Sequence, residues 1–204
     1  MTSHRAPYRI AVLALAVVVG LVPGCSWQKI PPPPTYADAP PISVVVGVEL
    51  AESSTTQAYG PGVVEHLKDR NVFQYVIWPF DPSTPVDAVL KLSIEGSWKQ
   101  SKGQTFTSAI LVGLTLGLLG PFLGPKTTGS HHVMSSLEAS GETIVAYDYH
   151  VETKYSTGLS ANKDAARFQA VSAQTQKITV ELAGRLNTDR AKIEAESMPT
   201  QSRR

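Results

Sequence analysis

The chain has 204 residues and a formal net charge of +1. That near-neutral balance speaks against a nucleic-acid binder, which needs a basic face or stripe. There is a single cysteine, so no internal disulfide can form. Beyond the leader, the length suits one compact domain.

The chain opens with MTSHRAPYR, which carries Arg5 and Arg9 and no acid. An apolar run from Ile10 to Val22 follows, interrupted only by Gly20. A basic start and a short apolar run predict a secretory signal over residues 1–24, too short for a transmembrane helix. The run ends in Leu21-Val22-Pro23-Gly24-Cys25. This resembles the lipobox of bacterial lipoproteins, although Pro23 stands where Ala or Ser is usual. The resemblance implies that the Cys25 thiol is alkylated by a diacylglyceryl group, that the signal is cut before it, and that the new amino terminus is acylated. Several acyl chains at about 0.8 kcal/mol per buried methylene hold a protein at a membrane almost irreversibly. Ser26 follows the cysteine, with no Asp there. By the sorting habit of enteric lipoproteins, this implies the outer membrane, with the domain facing the periplasm.

Residues 25–41 then read as the lipidated cysteine and a tether. Six prolines between Ser26 and Pro41 favour a polyproline II spacer of about 3 Å per residue. The fold is expected over residues 42–190. In the first strand Ile42, Val44, Val46, Val48 and Leu50 share one side. Gly60-Pro61 reads as a helix entry, with Val63, Val64 and Leu67 as its apolar face and an end near Asn71. Residues 72–79 form a second strand, and a turn spans Asp81 to Pro85. A third strand over 87–98 alternates cleanly, with Ala88, Leu90, Leu92 and Ile94 on the buried side.

Residues 131–139 and 142–155 predict a hairpin turning at Ser140-Gly141. Val145, Tyr147, Tyr149 and Val151 face one way; Asp148, His150, Glu152 and Lys154 face the other. A helix over about 161–190 is capped by Asn162, with Asp164 in its first turn. Phe168, Val171, Thr175, Ile178, Leu182 and Leu186 form its buried stripe. Residues 191–204 read as a disordered tail.

These elements predict an α+β two-layer sandwich: a mostly antiparallel sheet with two helices on one face, in the order β-α-β-β-insert-β-β-α. The words GVVEHLKDRNVFQYVIWP and DAVLKLSIEGSW resemble small envelope lipoproteins, periplasmic modules such as the TolB amino-terminal domain, and accessory lipoproteins of outer-membrane assembly machines. That likeness lies at the level of fold and implies a membrane-anchored accessory protein with an envelope protein as partner.

The insert over 105–125 contains SAILVGLTLGLLGPFLG, and no charge falls between Lys102 and Lys126. It lies between two strands of one small sheet, so a single membrane crossing would break that sheet. It can pack on its own domain, dip into the membrane, or dock on a partner or a second copy. An exposed apolar patch of this size marks a contact surface. Leu111, Leu114, Leu116, Leu118, Leu119 and Phe122 are its candidate contact residues.

No nucleophile elbow, phosphate loop or H-E-x-x-H occurs. With a tight turn at Ser140-Gly141, His131 would lie opposite His150, near Asp148, as a candidate zinc site. A one-residue slip abolishes it. The sequence thus favours a non-enzymatic accessory or scaffold protein with no cofactor. Its rivals are a periplasmic hydrolase or metal-binding protein, and a carrier of lipid or another apolar ligand.

Overall fold

The computed structural model describes residues 39–100, 126–156 and 163–197. The signal, Cys25, most of the tether, the insert contact residues Leu111, Leu114, Leu116, Leu118, Leu119 and Phe122, and the capping Asn162 lie outside those residues. The described chain forms β1 (Ile42–Leu50), α1 (Ser54–Asp69), β2 (Phe73–Ile77), β3 (Ala88–Gln100), β4 (Lys126–Ala139) and β5 (Glu142–Ser156). Helices α2 (Lys163–Thr188) and α3 (Arg190–Ser197) complete it.

The strands make one open sheet in the order β2-β1-β3-β4-β5. β1 pairs in parallel with β2 and with β3, and long antiparallel ladders join β3 to β4 and β4 to β5. The crossover from β1 to β2 runs through α1, as a parallel connection requires. The expected α+β two-layer architecture is therefore present, with a mixed sheet and a third helix. The alternation in the sequence reports the buried face faithfully. Ile42, Val44, Val46 and Val48 are buried, as are Ala88, Leu90, Leu92 and Ile94. Helices α1, α2 and α3 all pack on that side, and Ile178, Leu182, Leu186 and Val64 join it in one core.

Three expectations are corrected. Helix α1 starts six residues before Gly60, and Pro61 sits inside it. The true start is a Ser53 cap, whose hydroxyl accepts from the Thr56 amide at 3.1 Å. Thr56 then welds the first turn to β3: its hydroxyl accepts from the Ile94 amide at 2.8 Å and donates to the Ile94 carbonyl at 3.1 Å. Gly60 and Gly62 serve close packing instead of helix entry. A Cβ on Gly60 would sit 2.8 Å from the Leu50 side chain, and one on Gly62 2.9 Å from Thr175.

Phe168, placed on the buried stripe by its spacing, is 76% exposed. The early part of α2 turns Ala166 and Ala170 inward instead. Phe168 lies two residues from each, about 200° around the helix. The tail, expected to be disordered from residue 191, continues as α3 through Ser197, with Ile193 fully buried. One large apolar residue and two alanines in an otherwise polar octapeptide gave little periodicity to read.

Candidate functional site

With every described helix on one face, the other face of the sheet carries the outward residues of each strand. Toward β1 it is partly covered: the Phe80 ring lies over Gly47, where a Cβ would meet it at 2.4 Å. Across β3, β4 and β5 it forms an open groove of about 690 Å³, lined by Glu49, Lys91, Ser93, Met134, Ser136 and Asp148 among others. Lys91 pairs with Glu138 on the neighbouring strand at 2.7 Å. The Glu138 carboxylate, by that hydrogen bond, holds the Lys91 ammonium above its ordinary pKa.

The hairpin turns at Ser140 and Gly141, both at positive φ (53° and 84°). This is the geometry of a two-residue primed turn, and Gly141 suits it. Counting back from the turn would place His131 opposite His150. The ladder does not keep that count. Glu138 pairs with Thr143 but Leu137 pairs with Val145, so Ile144 is an extra, bulged residue. Beyond the bulge the register is shifted by one, and His132, not His131, lies opposite His150.

His131, Asp148 and His150 are therefore not brought together. His132 and His150 stack on the open face with ring centroids 4.5 Å apart, and His132 Nε2 lies 2.5 Å from Asp148 Oδ1. Among the described residues, no group of three or more His, Cys, Asp or Glu side chains could hold a metal ion. The His-His doublet was the signal that could have found His132. Neighbouring residues on a strand face opposite ways, so one of the two had to be on the wet side.

His131 points into the core and is 1% exposed. Its ring meets Tyr59 edge-on at 4.7 Å and Trp98 at 5.8 Å, and Trp98 meets Tyr155 at 5.4 Å. Trp98 Nε1 donates to the Tyr59 hydroxyl at 2.7 Å. The Trp98 ring covers Gly129 directly across the ladder, where a Cβ would lie 2.6 Å from it. Burial pushes the His131 imidazole below its ordinary pKa, because the charged form loses its hydration. Among the described residues, His131 Nδ1 has no hydrogen-bond partner. This cluster is structural in character: four rings packed edge to face, with His131 and Tyr59 buried and, among the described residues, no carboxylate hydrogen-bonded to the imidazole.

Gln100 pairs with Thr127, so the chain leaves β3 and returns on β4 at the same end of the sheet. Among the described residues, no helix is long and apolar enough to cross a membrane.

No protein-family model and no curated protein matches the chain. Solved structures similar to it include a minor lipoprotein from Acinetobacter baumannii, at 13% identity and a TM-score of 0.41, covering 78% of this chain and 97% of that one. A Xanthomonas campestris protein of the DUF330 family is similar at 13% identity and a TM-score of 0.47, covering 82% and 95%. The rare lipoprotein B of Shewanella oneidensis is similar at 14% identity and a TM-score of 0.36, covering 74% and 96%.

Proposed function

We propose that this chain is a lipid-anchored protein of the bacterial envelope, held in the outer membrane by acylated Cys25 and facing the periplasm. It acts there as a non-enzymatic accessory or scaffold subunit of a transport or envelope-assembly complex, with an envelope protein as partner. The anchor rests on the leader and the lipobox-like Leu21–Cys25. The observation that carries the accessory role is the one-sided architecture: among the described residues, helices cover one face of the sheet and leave the β3–β5 groove open. A wide, open groove in which Leu50, Met134 and Tyr147 lie among the charged Glu49, Lys91 and Asp148 suits a protein surface, where apolar and polar groups are mixed.

Two measurements test this. Cys25→Ser should move the protein from the membrane to the soluble fraction; a variant that stays wholly membrane-bound removes the lipid anchor from the reading. Photo-crosslinking in cells from probes at Met134 and Leu116 should yield adducts to one particular envelope protein. Adducts to lipid alone, or none from either position, would defeat the accessory role.

A further inference from the structure

We infer that α3 is a clamp on the tether, fixing the end of the domain from which the chain runs to its anchor. This rests on the reading of Cys25 as that anchor. The Arg190 guanidinium donates to the carbonyls of Pro40 and of Pro41, the latter at 3.2 Å, and to Asn187 Oδ1 at 2.9 Å. Proline has no N–H, so a Pro-Pro pair offers only carbonyls, and polyproline II leaves them without internal partners. A planar guanidinium with several donors is the side chain suited to two successive carbonyls; a lysine ammonium lacks that fork.

One turn further on, Glu194 Oε1 accepts from the Ser43 amide at 3.1 Å. That contact has a topological cause. β3 begins only at Ala88, opposite Val46, so among the described residues no strand lies beside the first residues of β1 on that side. Asp87 serves Val45, whose amide it accepts at 2.8 Å and whose carbonyl takes the Asp87 N–H at 2.9 Å. Glu194 serves Ser43. Helix α3 thus stands where the next stretch of β3 would be, and the buried Ile193 seats it in the core.

The consequence is directional. Ile42 lies four residues before the Val46–Ala88 level, and Gln100 twelve residues beyond it. At about 3.3 Å per residue the two ends of the sheet are on the order of 50 Å apart. The clamped end carries the tether and the far end carries the β3–β4 connection. In the anchored protein the clamp keeps the α3 end toward the lipid and turns the β3–β4 end away from it.

The clamp is tested by hydrogen exchange in the full chain. Glu194→Ala should speed exchange of the Ser43 amide about tenfold, the protection of one ordinary hydrogen bond, and leave the Leu90 amide unchanged. An unchanged Ser43 rate overturns the clamp. Its direction is tested on the lipidated chain in vesicles of phosphatidylethanolamine and phosphatidylglycerol that carry an acceptor dye. A donor at Lys192→Cys should transfer more energy to the membrane than one at Ser97→Cys, and Arg190→Ala with Glu194→Ala should shrink that difference. Equal transfer from both sites in the intact clamp overturns the orientation. A chain that does not float with the vesicles defeats the anchor instead, and the exchange result still decides the clamp.

Discussion

His131 makes the stability of the domain pH-dependent in a calculable way. Its imidazole is buried among Tyr59, Trp98 and the sheet, with its folded pKa depressed by desolvation. The unfolded chain therefore binds the proton first as pH falls. The contribution is fully present above the unfolded value of about 6.5 and is lost as pH drops through it toward the folded pKa. If the folded group stays neutral throughout, the loss between pH 7.5 and pH 5 reaches at most about 2 kcal/mol, the free energy of protonating a free imidazole at pH 5. The assay is urea unfolding of the unlipidated chain at several pH values, followed by tryptophan fluorescence. His131→Phe keeps a ring in the nest and removes both the titration and Nδ1, which has no partner among the described residues. The difference in stability between the two proteins should shift by up to about 2 kcal/mol in favour of the variant across that window. Parallel curves would refute the argument, because they would mean that His131 takes up its proton equally well folded and unfolded.

Other substitutions probe the packing directly. Leu90→Asp puts an unpaired carboxylate near the start of β3, where Leu90 is fully buried, and should abolish folding; an unchanged melting curve would remove that strand face from the core. Gly129→Val forces a side chain into the Trp98 ring and should cost about 1–3 kcal/mol, with an altered Trp98 environment in near-ultraviolet circular dichroism. Tyr147→Phe removes the hydroxyl that donates to Asp189 Oδ2 at 2.9 Å, tying β5 to the end of α2, and should cost about 1 kcal/mol by chemical denaturation.

The layer architecture was legible because a half-buried strand writes its inner face at every second residue. Ala88, Leu90, Leu92 and Ile94 needed no other information. The helix stripe was legible from Thr175 onward, where Ile178, Leu182 and Leu186 keep the spacing. It failed at Phe168 because alanines at 166 and 170 let that part of α2 meet the core through small side chains, and alanine carries little hydrophobic signal. Helix α1 was misjudged at its start because Gly60-Pro61-Gly62 is strong punctuation. The backbone there serves contacts with Leu50 and Thr175, which are distant in sequence. Helix α3 was missed for a related reason: Arg190 and Glu194 find their partners at Pro40, Pro41 and Ser43, about 150 residues away.

The histidines show how much turns on a single residue. The turn was read correctly, and β5 was assigned the right faces from Val145 onward, but the register put His131 of β4 on the wet side. Yet the candidate metal site dissolved, because Ile144 bulges and every pair beyond it moves by one. A strand has a side-chain period of two, so a shift of one carries a residue from the wet face to the core. His131 thus became an enclosed neutral ring, and His132 took the exposed place beside His150 and Asp148. Two adjacent and identical residues came to opposite chemistry through a backbone feature that neither of them encodes. The bulge is in turn favoured by burial. Ile144 and Val145 are both buried, which strict alternation would forbid, and the extra residue lets both leave water.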